Sequence, residues 1–387
     1  RSVGQHWTER ARLAYAPGTA LLFLGITLAA VLGVVGETII QPLARNPVLG
    51  AVGFLTNSII AWAGVLVVRY LWLRELWGPR VTIRSWLAGV LVIVFAMFPG
   101  FFVTIVLAFA MPDTPNAQAV FIFCAAVLAL VFCALGGELR LLGWIGILKP
   151  APSALTAMVH RLAELMKVKG KVRVFVLEWA MVNGLAWQRN RAVGFTRPLL
   201  EIMTEKEVRA VAAHELAHLL EPPWARRIRT AHLFAYLPLV PLAKYGGSPG
   251  ALAAFCLLVT FVLGYIRFTH RFERRADRGE SDAIADPGAY AMSMTVLHQA
   301  NSTPAVMPGK QSHPHLYDRL LAGGIQPDFP RPRAPSRAKP MLAALTMTFT
   351  VLLLLLAMFA GIMVSLHLLG YEVRLEAGEQ KRESLSQ

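Results

Sequence analysis

Apolar residues fall in blocks too long for the helices of a soluble core. Gly18 to about Ile40 forms one and Val48 to about Leu71 a second. Trp86 to Met111 forms a third, in which Pro99-Gly100 predicts a kink, and Ala117 to about Leu135 a fourth. Each can cross a hydrocarbon core of roughly 30 Å. Glu138 and Arg140 mark where the chain has left the bilayer after the fourth. The stretch 229–268 is apolar again, with Pro238, Pro241 and Gly246-Gly247 in its first half. That is too long for one ordinary span, and it predicts two short spans, about 229–245 and 249–268, or a re-entrant hairpin. Met341 to about Leu369 is the last span. The total is about seven if 229–268 crosses twice.

Between these blocks the period changes. Ser153 to Met166 reads as an amphipathic helix, and Lys171 to Leu177 alternates with period two, the signature of a strand. Asn183 to Trp187 and Arg191 to Phe195 predict two more short strands around a turn at Gln188 to Asn190. Thr204 and Glu207 have the spacing of a capping box, so a helix should start near Glu205 and stop at Pro222-Pro223. Residues 269–298 are charged at first and then helical, and Gly323 to Pro340 is a Pro/Arg-rich linker. The expected architecture is a mainly α, polytopic membrane protein with a small α+β domain. It divides into a four-span region at 1–149, the domain's first part at 150–228, an apolar hairpin at 229–268, its second part and linker at 269–340, and a final span and tail at 341–387.

Composition agrees with this reading. Of the 387 residues, 56% are hydrophobic and only 16% charged, which points to an integral membrane protein. The net charge of +15 belongs to loops beside anionic lipid rather than to a nucleic-acid site, since no zinc finger or aromatic RNA-binding motif is present. Residues 1–17 and the loop 69–84 are basic, whereas the loops near 41–47 and 112–116 are nearly neutral. The positive-inside rule then puts 1–17, 69–84 and the α+β domain in the cytosol, at the cell (inner) membrane. Cys124, Cys133 and Cys256 all lie in apolar runs and read as packing residues.

The chemistry concentrates at His214, Glu215 and His218. Two histidines four apart lie on one helix face, one turn apart, and can bind a tetrahedral Zn²⁺, one per chain. The glutamate between them can take a proton from a water that the ion acidifies. The bland alternative is a polar helix face with two solvated histidines. A catalytic zinc needs a third protein ligand. The pattern that adds a histidine six residues on is excluded, because Glu221 and Trp224 stand at the positions concerned. The other common pattern takes a glutamate from a following helix, and Glu273 is the best candidate, with His270 and Glu280 as rivals. Asp277 shares a face with Glu273 and can hydrogen-bond a ligand histidine. The alternative for this pair is an acidic face balanced by Arg274, Arg275 and Arg278.

With these residues in place, the chain resembles the integral-membrane zinc metallopeptidases of the HtpX and CAAX prenyl protease superfamily. The resemblance extends from the metal motif to an Asn-x-x-Ala stretch at Asn183, Gly184, Leu185 and Ala186, and to His313-Pro314 with Arg319. It covers roughly 150–320, and the first four spans carry no part of it. It implies a zincin-like domain acting on polypeptides, with a membrane-protein substrate expected. It also implies that Asn183 to Ala186 bind an extended substrate as an edge strand, and that His313 or Arg319 stabilises the oxyanion or orients the site. Four spans before the motif and Arg274-Arg275 on the ligand helix depart from the family pattern, which leaves quality control and CAAX-type processing both open. A site-2-type intramembrane protease would need the motif helix inside the bilayer, and Glu205, Lys206, Glu207 and Arg209 argue against that. A zinc-containing scaffold or receptor is the non-enzyme alternative, but it has no use for Glu215.

Overall fold

The computed structural model describes residues 6–35, 64–284, 287–308, 315–336 and 338–368. Helix α1 (Trp7–Val35) comes first. Helix α2 (Gly64–Arg80) is followed after a bend of 114° by α3 (Ile83–Val92), which loosens into a π turn at Ile93–Met97. Pro99 then opens α4 (Pro99–Ala110). The kink expected at Pro99-Gly100 is therefore a break between two helices. Proline supplies no N–H to the turn before it and suits a helix's first turn. Helix α5 (Ala117–Ala134) matches the fourth expected block, and Gly136, at φ +84°, turns the chain into α6 (Gly137–Trp144).

The small sheet follows. Strands β1 (Leu148–Pro150) and β2 (Arg173–Leu177) flank α7 (Ser153–Leu165). Strands β3 (Gly184–Trp187) and β4 (Ala192–Thr196) form the expected hairpin, with Arg191 in the left-handed region at its turn. The order is β1-β2-β4-β3, with β2 parallel to β4 and the other pairs antiparallel. β3 is thus an edge strand. β1, three residues long, was too short to show a period in the sequence.

A short α8 (Arg197–Ile202) leads to α9 (Glu205–Leu219), which begins with the expected capping box between Thr204 and Glu207. Everything on α9 from Ala210 to Leu219 is buried. Ala210, Ala212 and Ala213 have small side chains, so sheet and helices can approach closely. Helices α10 (Pro223–Phe234) and α11 (Leu239–Tyr245) come next. They precede α12 (Gly247–Ile284), a single helix of 38 residues. The second expected segment, about 249–268, lies within this helix, and the first is divided between α10 and α11 by prolines and glycines. No proline interrupts 250–286, so the helix runs on beyond 268 through Glu273 and Asp277. α13 (Pro287–Ala300), α14 (Leu316–Ala322) and α15 (Ala338–Leu368) complete the chain.

Two compact units result, one of Arg1–Tyr15 with Tyr70–Pro335 and one of Ala16–Arg69 with Ser336–Gln387. The first holds the sheet and the main core, built from α7, α9, α13, α14 and the strands. Among the described residues, α5 and the Gly247–Asp277 part of α12 are long and apolar enough to cross a membrane, or three segments are if the bent α2–α3 pair counts as one. The seven crossings expected go beyond that, and residues 36–63 of the first two expected spans lie outside the described residues.

The approach to β3 is held by one buried side chain. Asn301 accepts from the Val182 N–H at 3.0 Å and donates to the Val182 carbonyl at 2.7 Å, while its own carbonyl accepts from Trp77 Nε1 at 2.9 Å. Replacing Asn301 by Ala strands two buried backbone groups, each costing about 1–3 kcal/mol. Thermal unfolding of the Asn301→Ala protein in detergent should show a loss of about 2–4 kcal/mol.

Candidate active site

Burial decides the first question at the motif. His214 and His218 are 5% and 6% exposed, so they are not solvated surface histidines. They sit on the inner face of α9, with ring centroids 5.0 Å apart and planes nearly perpendicular. Opposite them α12 presents Glu273. Its Oε2 lies 3.5 Å from His214 Nε2 and 3.6 Å from His218 Nε2. These separations are long for hydrogen bonds, but four ligands at roughly 2.1 Å around a tetrahedral ion stand about 3.4 Å apart. The three groups therefore fit one zinc ion through both Nε2 atoms and a carboxylate oxygen. Among the described residues they are the metal-type cluster that forms. His270 does not join it, and the side chain of Glu280 lies outside the described residues.

The outward ring nitrogens are also engaged. His214 Nδ1 lies 3.2 Å from Asp277 Oδ1, the position the sequence suggests for Asp277. His218 Nδ1 donates to Glu221 Oε1 at 3.1 Å. Each carboxylate is backed by an arginine. Arg229 donates to both oxygens of Glu221, at 2.7 and 2.9 Å. Arg319 on α14 grips both oxygens of Asp277, with its Nε at 3.1 Å from Oδ2. Both imidazoles are thereby held with Nε2 toward the metal position. Glu221 was passed over in the sequence because it stands where another ligand pattern needs a different residue. Its role is visible only once α10 brings Arg229 back beside it. Tyr290 was missed too. It stacks on His214 at 4.9 Å and 12°, and its hydroxyl accepts from Arg319 Nη2 at 3.3 Å. No sequence motif marks it.

Residue by residue, α9 and α12 bring together His214, Glu215, His218, Glu273 and Asp277. Arg319, expected at the oxyanion or as an orienting group, is engaged by Asp277 and Tyr290, which suits the second. His313 lies outside the described residues. Asn183 pairs by its backbone with Thr196, accepting the Thr196 N–H and donating to Thr196 Oγ1, both at 3.0 Å. It opens the edge strand on which Gly184, Leu185 and Ala186 follow.

Residues 152–322 match the model of peptidase family M48. Over this stretch the chain is similar to HtpX-like metallopeptidases of family M48. It is 28% identical over 175 residues to a protease HtpX homolog of Burkholderia thailandensis, a match covering 40% of this chain and 61% of that protein. It is 30% identical over 142 residues to one of Ralstonia pickettii, covering 33% and 50%. A homolog of Ralstonia nicotianae matches at 31% over 146 residues, again covering 33% and 50%. The chain thus spans between half and about three fifths of the length of these relatives.

Within the matched region the edge strand touches the glutamate of the motif. A Cβ added at Gly184 would lie 2.7 Å from Val211 Cγ1, 3.0 Å from Glu215 Oε1 and 3.1 Å from its Cγ. Any larger residue at 184 must push β3 away from α9 or turn Glu215 aside. Gly184→Ala should therefore bind zinc with unchanged stoichiometry, measured by elemental analysis, yet lose about tenfold or more of any cleavage that depends on Glu215.

Electrostatics make metal binding pH-dependent. Burial disfavours a charged His218, but the carboxylates of Glu221 and Glu273 outweigh it and raise the imidazole to about 10. Burial acts on His214 in the same way, and Asp277 and Glu273 raise it. Below these values protons compete with the metal, so binding releases protons and tightens as pH rises. Zinc affinity measured by chelator competition should improve by about ten- to hundredfold from pH 6 to pH 7. A flat profile would mean that the imidazoles are already neutral.

Proposed function

We propose that this chain is a membrane-embedded zinc endopeptidase that hydrolyses peptide bonds of membrane or membrane-associated proteins at the cytosolic face. The observation that carries this reading is the convergence of His214, His218 and Glu273 beside Glu215, next to β3, the edge strand of the sheet among the described residues. Zinc held by those three residues would acidify a water molecule and polarise the scissile carbonyl. Glu215 takes the proton of the attacking water and passes it to the leaving amine. The outer edge of β3, from Asn183 to Ala186, pairs with the extended substrate by strand addition, which fixes the peptide's register against Glu215. Asp277 and Glu221 keep the ligand histidines in one tautomer. Arg319 and Tyr290 fix Asp277 and His214 from behind.

Two observations support a membrane setting. The helix carrying Glu273 contains an 18-residue stretch of mean hydropathy 2.1 within Gly247–Asp277, long enough to cross a bilayer, and α5 is a second such segment. The positive-inside reading supports a cytosolic site. A catalytically silent zinc scaffold is disfavoured by Glu215, which is buried beside the gap between the ligands but is not one of them.

The test compares the purified wild type with Glu215→Gln, in detergent, on an unfolded protein and on a membrane-protein substrate. Both proteins should carry one zinc, and cleavage should fall by about 10²–10⁴ in the variant. Chelation should abolish wild-type cleavage, and Zn²⁺ should restore it. Undiminished cleavage by Glu215→Gln would overturn the mechanism.

A further inference from the structure

We propose that an open cleft between the end of α5 and α10 binds the phosphate of an anionic phospholipid headgroup. The cleft has a volume of about 650 Å³. One wall is Ala134, the last residue of the apolar α5, and another is Phe234 of α10. Between them stand Arg189, from the β3–β4 turn, and Arg226 and Arg227, from α10. The site is distinct from the metal centre and does not rest on the proposed catalytic role.

Charge bookkeeping leaves this cleft cationic. Arg189 lies 3.5 Å from Glu138, whose carboxylate is buried and also accepts from Asn190 at 2.7 Å. The nearest acid along the chain from α10, Glu221, is taken by Arg229. Among the described residues no carboxylate pairs with Arg226 or Arg227. Two arginines that meet no carboxylate among the described residues and a third sharing one acid line a single concavity, an arrangement suited to a phosphate diester.

The neighbouring apolar surface favours lipid over a soluble anion. The cleft opens where α5, with a mean hydropathy of 2.5, ends. That is the depth at which phosphates lie if α5 crosses the bilayer. Trp144 on the helix that follows is 86% exposed, and Trp224 at the start of α10 is 54% exposed, as expected of side chains at a membrane interface. Basic pockets of this kind beside spans hold anionic headgroups. A headgroup there would touch the turn of the edge strand and the helix after Glu221, and so would seat the α+β domain against the membrane.

The experiment uses the full chain in a neutral detergent and follows its thermal unfolding. Dihexanoyl phosphatidylglycerol, dihexanoyl phosphatidylcholine and inorganic phosphate are titrated separately below the lipids' micelle-forming concentrations. Phosphatidylglycerol should raise the unfolding temperature saturably, and the other two should not. Arg226→Gln/Arg227→Gln should weaken that response about tenfold or more, since each arginine adds attraction to an anionic headgroup. Arg226→Lys/Arg227→Lys should keep most of it. Removal of two exposed charges elsewhere, Arg161→Gln/Lys169→Gln, should leave it intact. An equal response to phosphatidylcholine, or an unchanged response in Arg226→Gln/Arg227→Gln, would overturn the proposal. Saturation by inorganic phosphate at the same concentrations would overturn the lipid assignment in favour of a free-anion site.

Discussion

Buried charge must be paired, and that requirement organises the protein around α9. His214 and His218 are enclosed, and each faces a carboxylate with its outward nitrogen. Each carboxylate is then held by a buried or half-buried arginine. Removing one partner from such a chain leaves an uncompensated charge, at a typical cost of about 3–5 kcal/mol. The two chains run in different directions. One leads from His214 through Asp277 to α14, and the other from His218 through Glu221 to α10. Satisfying both fixes α10, α12 and α14 around α9, and with them the gap where a metal fits.

The sheet contributes the remaining constraint. β4 is buried along its whole length, whereas β3 is the edge strand of the sheet among the described residues. Val182, just before that edge, is clamped by Asn301, and Gly184 lies against Glu215. The strand's position is thus set from two sides. An edge strand left unpaired is a liability in most proteins. Here it runs beside the motif glutamate, where a pairing partner in extended form would be useful.

Much of this was legible in the chain itself. The i, i+4 histidines, the capping box at Thr204 and Glu207, the alternating residues of β2 and the hairpin of β3 and β4 each carry a local period or cap, and each stands where the pattern puts it. Glu273 and Asp277 could be picked out by their four-residue spacing. Glu221, Arg229 and Tyr290 could not, because nothing in a sequence says which distant side chains a buried imidazole will meet. The far end of the apolar stretch was hidden for a related reason. Hydropathy sees that 229–268 is apolar, but not that its second half continues as one helix into the charged stretch that bears Glu273.

The sequence by itself determined the chemistry of the candidate metal-binding side chains, the mostly helical and strongly apolar character of the chain, and the local boundaries of the strands and of α9. These depend on spacing, period and capping, all of which are short-range. Tertiary structure alone decided which carboxylate faces which histidine, that Asn301 and Gly184 position the edge strand, and that three arginines from two elements share one cleft. Those are contacts between residues far apart in the chain. They are selected by the cost of leaving a buried polar or charged group without a partner, which no local pattern records.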